Sequence, residues 1–228
     1  MTTFADFQQG VADRIQDGAG KLDQMVSDGC IREAITGRYS HALPIRAIAD
    51  FVGDGVTYRW AINATNFPGW VKDFSWIEDV EYPAGDQDPN ILDKSEWQIY
   101  YPASNAPELR LLAIAPGTGK TLRVAFTIPH AEDGSDVSST DFYGVVNLAA
   151  SLAAGRLQAI YTQLGDAAFG GDAVDYKSKA AQYAALAAKL NKEFEGAFGL
   201  DKDEPQPASS ATTEWREDLE AGGRRLIH

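Results

Sequence analysis

Cysteine is almost absent. The chain has one, Cys30, in 228 residues, so no internal disulfide forms and a reducing compartment is expected. Histidine is scarce too. His41, His130 and His228 stand far apart, and none forms the helical pair with glutamate that signals zinc. Cations are outnumbered: 20 Lys and Arg against 33 Asp and Glu give a net charge of −13. A protein that coats duplex nucleic acid needs clustered Lys and Arg, so that class is disfavoured. No apolar run approaches the roughly 20 residues needed to cross a bilayer, so no membrane role is expected. The opening Met1-Thr2-Thr3-Phe4-Ala5-Asp6 lacks the basic start and apolar core of a leader, so the sequon Asn63-Ala64-Thr65 carries no weight. No serine sits in a nucleophile-elbow context. What remains is ordinary for a globular chain: 44% apolar and 23% charged residues.

The pattern along the chain changes twice. Phe4, Phe7, Val11 and Ile15 mark one face of a short amphipathic helix, broken at Gly18 and Gly20. A second helical stretch, about Leu22 to Tyr39, carries Met25, Val26, Ile31 and Ile35, and Pro44 ends it. The helical period then disappears. Short runs rich in Val, Ile, Tyr, Trp and Phe alternate with turn residues, and seven of the ten prolines punctuate the block. Strands are expected at 45–52, 56–62, 75–82, 96–101, 109–115 and 121–128, in a small meandering sheet. Gly53-Asp54-Gly55 reads as a hairpin turn between the first two, and Pro116-Gly117-Thr118-Gly119-Lys120 joins the last two.

Two long alanine-rich helices follow. Ser138 or Thr140 can cap the first, whose stripe includes Phe142, Val145, Val146, Ala149, Leu157 and Tyr161. Asp172 can cap the second, with Tyr176, Ala180, Tyr183, Leu190, Phe194 and Phe198 on one face and Gly199 as its C-cap. They suggest an antiparallel hairpin. Residues 201–213 are polar and without period, as a linker is. The expected class is α+β: N-terminal helices, a small antiparallel β-rich middle, a C-terminal long-helix hairpin and an extended tail. As domains this gives one α+β domain over 1–200, helical at 1–43 and 138–199 with a β-rich insertion at 44–130, then a linker and docking tail at 201–228.

Apparent chemical motifs fail on detail. Ala115 to Thr121 resembles a phosphate loop, but the required first glycine is Ile114, and a strand-like run follows where a helix is needed. The expected reading is a glycine-rich hairpin turn. Asp86-Gln87-Asp88-Pro89-Asn90 begins like a calcium loop, but Ile91 replaces its glycine and Trp97 its final carboxylate. Cys30 reads as a small buried residue, although His41 could pair with it in space. Trp60, Trp70, Trp76 and Trp97 could form a sugar platform, but aromatics in strands more often pack a core. No catalytic residue, metal or cofactor is expected.

Four short stretches carry a resemblance: Asp50 to Tyr58; Val80-Glu81-Tyr82-Pro83 with Trp97-Gln98-Ile99-Tyr100; Asp175 to Ala180; and the terminal Gly-Arg-Arg-Leu-Ile-His. In their order the chain resembles head-to-tail connector proteins of tailed bacteriophages, also called adaptor, neck or head-completion proteins. The resemblance implies a non-enzymatic subunit of a homo-oligomeric ring, usually of twelve copies, in the virion neck after assembly in the host cytoplasm. Its partners are the portal protein and other neck or tail-completion proteins, and DNA passes through without specific binding. The all-helical members of the family lack a β-rich middle, so this chain departs from their pattern. Trp215, Arg216, Leu219, Arg224, Arg225, Leu226, Ile227 and His228 are the expected portal contacts, because a linker ending in aromatic, aliphatic and guanidinium groups makes a docking arm. The acidic excess fits a conduit that DNA slides through, and equally fits solubility. Two other classes remain open: a carboxylate-based hydrolase and a monomeric binding module.

Overall fold

The computed structural model describes residues 2–102, 107–167 and 176–200. They form two compact units, one within Met1–Ile35 and the chain from Asp133 onward, the other over Thr36–Glu132.

The first unit is helical. Helix α1 (Phe4–Ile15) starts at a capping box, in which the Thr3 hydroxyl accepts from Asp6 N–H and the Asp6 carboxylate accepts from Thr3 N–H at 2.8 Å. Its Phe7, Val11 and Ile15 are buried, as their spacing predicts. Helix α2 (Gln24–Ala34) is capped by Asp23 and buries Cys30, Ile31 and Ala34. The expected apolar face is corrected here, because Met25 and Val26 are exposed. Both lie in the first turn of α2, before the face that meets the rest of the unit. After α2 the chain kinks at Gly37 (φ −88°, ψ −110°) and enters the second unit, where a single turn, α3 (Ser40–Ala42), comes before Pro44.

Helices α4 (Phe142–Ala167) and α5 (Tyr176–Ala197) run antiparallel. The pairing is fixed by Phe198 against Gly144, by the Ser151 hydroxyl donating to Ala187 C=O at 2.8 Å, and by Tyr161 stacked on Tyr183 at 5.5 Å. Gly199, at φ +62°, ends α5, and Leu200 N–H returns to Glu195 C=O at 2.8 Å. That is the glycine C-cap the sequence suggests. Asp172 lies outside the described residues. Helix α4 is central: it packs on α1, α2 and α5. Its Ala149, Ala150, Ala153 and Ala154 are fully buried, and small side chains there let three helices approach one. A polar chain crosses the same helices. Arg14 of α1 donates to Asn147 of α4, which donates to Glu193 of α5 at 3.2 Å.

The second unit holds two three-stranded antiparallel sheets. One is ordered β1 (Ile45–Val52), β6 (Thr121–Ile128), β3 (Ile77–Glu81). The other is ordered β2 (Arg59–Ala61), β5 (Glu108–Leu111), β4 (Trp97–Tyr100). The expected single meander is therefore corrected. Gly53-Asp54-Gly55 does not return β1 onto β2; β1 pairs along its whole length with β6. Likewise β5 and β6 lie in different sheets, so Pro116–Lys120 is a crossover and not a hairpin turn. Alternation in sequence marks a strand and its buried face, but it does not name the partner.

The two sheets give their inner faces to one core. Leu122, Val124, Phe126, Ile77 and Val80 come from one, Leu109, Leu111, Trp60, Trp97 and Ile99 from the other. Phe67 sits among them, fully buried, with ring centroids of Phe51, Phe126 and Trp70 at 5.5, 5.3 and 5.8 Å. Burying a phenylalanine of this kind contributes about 1.5–3 kcal/mol.

Candidate interaction surfaces

Three amides of the loop Ala115–Lys120 are already engaged within the chain. Gly117 N–H donates to the Tyr82 hydroxyl at 2.7 Å, Gly119 N–H to Gly53 C=O at 3.0 Å and Lys120 N–H to Gly117 C=O at 2.9 Å. Strand β6 follows directly, so the loop does not hand over to a helix. Its role is to pin the end of β1: Gly53 N–H donates to Lys120 C=O and Gly55 N–H to Pro116 C=O, at 2.7 and 2.8 Å. Asp54 completes the turn. Its carboxylate accepts from the Thr57 hydroxyl and from Thr57 and Val56 N–H, which lowers its pKa to about 2.

Other sequence candidates have structural surroundings. Cys30 is buried, and burial raises its thiol pKa against the opposing pull of Arg156. The His41 ring lies tilted against Phe74, 4.7 Å between centroids, and a ring nitrogen of His130 lies 2.8 Å from Leu43 C=O. Three of the four described tryptophans, Trp60, Trp70 and Trp97, pack against the core. Trp76 is 43% exposed, beside Phe74, and a cleft of about 630 Å³ lies between Trp70, Trp76, Ile99 and Tyr101. Among the described residues no three His, Cys, Asp or Glu side chains converge as a metal site, and no helix is long and apolar enough to cross a membrane.

The exposed surfaces are more informative. On α5 the outward side carries Ala181, Ala185 and Ala188, then Lys192 and Gly196, all exposed. Three of these five residues are alanines, whereas Ala149, Ala150, Ala153 and Ala154 of α4 are consumed inside the unit. The two sheets differ in their outward charges. On the first, Arg46 pairs with Glu78 and Asp79 at 3.1 and 3.0 Å, and Arg123 with Asp50 and Glu81 at 2.9 and 3.8 Å. On the second, Arg59, Arg110 and Gln98 form a row across β2, β5 and β4. Each arginine lies over a tyrosine, Arg110 at 4.3 Å from Tyr100 and Arg59 at 5.0 Å from Tyr58. No carboxylate pairs with either among the described residues. Sequence reading missed this row because its members come from three strands whose register is non-local.

Trp215, Arg216, Leu219, Arg224, Arg225, Leu226, Ile227 and His228 all lie outside the described residues.

No protein-family model matches the sequence, and no curated protein matches it. Among solved structures the chain is similar to chains in the necks of gene transfer agent particles. One is the neck of an empty particle with C6 symmetry, at 12% identity, covering 79% of this chain and 87% of the other, with a TM-score of 0.29. Another is the neck of a native particle with C12 symmetry, at 14% identity, covering 76% and 89%, with a TM-score of 0.27. A third comes from the virion of the native particle, at 13% identity, covering 79% and 87%, also with a TM-score of 0.27.

Proposed function

We propose that this chain is a structural subunit of a phage-type neck. Copies form a closed ring, of twelve where the family resemblance holds, that joins the capsid portal to the tail and leaves a channel for DNA. The chain acts by assembly and not by catalysis. The observation that carries this is the inequality of the two alanine-rich helices. Helix α4 spends Ala149, Ala150, Ala153 and Ala154 inside the unit, while α5 keeps Ala181, Ala185 and Ala188 exposed along one face. Alanines on a solvated helix face add nothing to the core of their own chain, but they let a neighbour's backbone approach closely. The ring contact therefore falls on the outward side of α5.

The tail supplies the second contact. Trp215, Arg216, Leu219 and the stretch from Arg224 to His228 dock on the portal, the arginines standing out against an acidic chain. The test is a truncation at residue 204, assayed by co-sedimentation with purified portal. The shortened chain is expected to stay folded and to lose portal binding. Binding equal to that of the full chain overturns the docking role. For the ring, Ala185→Trp is expected to leave helicity by circular dichroism unchanged and to abolish ring formation. Rings formed normally by that variant overturn the α5 contact.

A further inference from the structure

The outward face of the second sheet poses a problem of charge. Arg59 and Arg110 stand directly opposite one another on β2 and β5, and like charges in that position repel. In an acidic chain, carboxylates to relieve them are plentiful, and the first sheet shows how they are used: both of its outward arginines have two partners each. The second sheet has no such relief among the described residues. Arg110 Nε is buried without a hydrogen-bond partner. Tyr100 and Tyr58 lie under the two guanidinium groups instead. A guanidinium over a ring is held by cation–π attraction, and its terminal N–H groups can still meet a carboxylate. A recess of about 400 Å³ opens beside the row, lined by Tyr58, Arg110, Leu112 and Ile114.

The same unit carries carboxylates of the opposite kind. Asp86 and Asp88 are exposed and have no ion pair among the described residues. Their loop is held at its base. Tyr82 N–H donates to Asn90 C=O at 2.9 Å, Asn90 Nδ2 donates to Tyr82 C=O at 2.7 Å, and Glu81 bridges to Ile91. Gly85, at φ +89°, donates its N–H to the Glu81 carboxylate at 3.2 Å. The loop is a projection pinned at its base, which limits the order lost on binding.

We infer that Arg59 and Arg110 of one copy receive Asp86 and Asp88 of the next copy in the ring. The inference rests on the ring reading and gives that ring a specific second contact. One surface is used as socket and the other as plug, so the contact is head-to-tail, the type that closes into rings. A second copy fits better than nucleic acid. Glu108 lies on the same outward face, in register with Tyr100 and Ala61. A phosphate backbone crossing the face would run over it, whereas a loop with two carboxylates needs to cover only the arginine row.

The experiment uses the full chain and charge reversal on each side. R59E/R110E and D86K/D88K are compared with wild type by mass photometry, alone and in the presence of portal, with circular dichroism confirming the fold. Each double variant is expected to lower the ring population about tenfold or more, as the loss of interfacial charge pairs does. An equimolar mixture of the two restores complementary pairs at every junction and is expected to restore rings, as is the fourfold variant. R59Q/R110Q serves if reversal unfolds the sheet. Wild-type rings in either double variant, or rings absent from both the mixture and the fourfold variant, overturn the inference and leave the ring reading intact. Wild-type protein that forms no ring, alone or with portal, overturns both. A fluorescent DNA duplex released by R59E/R110E while rings persist assigns the arginines to nucleic acid and overturns it too.

Discussion

Gly53→Ala tests whether the glycines of the second unit are a structural joint. An added Cβ would lie 2.3 Å from Pro116 C=O and 2.5 Å from Gly117 C=O, both backbone oxygens, where ordinary contact begins near 3.4 Å. The two carbonyls must therefore retreat by about 1 Å. Neither is free to do so. Pro116 C=O accepts from Gly55 N–H at 2.8 Å and Gly117 C=O from Lys120 N–H at 2.9 Å. Overpacking against rigid surroundings costs about 1–3 kcal/mol, and a lost hydrogen bond adds about 1 kcal/mol. A total near 3 kcal/mol corresponds to a fall in Tm of roughly 6–12 °C for a chain of this size. The assay is urea and thermal unfolding followed by fluorescence, since Trp60, Trp70, Trp76 and Trp97 all belong to this unit. Lys120→Ala is the control. Its side chain is exposed, and the change is expected to stay within about 0.5 kcal/mol. A Gly53→Ala variant as stable as wild type refutes the joint. An activity that depends on nucleotide and is lost in Lys120→Ala refutes it from the other side.

Two further outcomes follow from the pKa directions. The folded-state pKa of Asp54 is lowered to about 2 from the ordinary 3.8, so its carboxylate steadies the turn fully above pH 3.8, and that contribution disappears as pH falls through about 2. A carbon-detected NMR titration of Asp54 should show a midpoint near the lower value, and one at 3.8 contradicts the turn geometry. The Cys30 thiol is buried with its pKa raised, so a thiol reagent at neutral pH should modify it only as fast as the helical unit opens. Immediate, stoichiometric reaction in the native chain refutes that placement.

Helices were legible in the sequence where one period specifies both the element and its buried face. Phe7, Val11 and Ile15 fix α1, and Gly199 marks the end of α5. Met25 and Val26 misled because an apolar residue in a first turn can precede the packed face. The strands were legible as strands, β1 and β6 to the residue, yet their pairing was not. The Gly53-Asp54-Gly55 turn has the chemistry of a hairpin, but its amides are claimed by Pro116 and Lys120, far along the chain. Interaction surfaces followed the same rule. Alanine-rich helices announced a close packing, and only the contacts of α4 show which face of which helix stays open. The arginine row was invisible because Arg59, Gln98 and Arg110 meet only through the register of three strands.

The central claim is a ring built from this chain. The most direct measurement is electron-microscopic imaging of the full-length protein mixed with purified portal, averaged without imposed symmetry. The account predicts a closed ring seated on the portal, with the outward side of α5 at each junction between copies. Isolated single copies, whether free or bound to the portal without touching one another, contradict it.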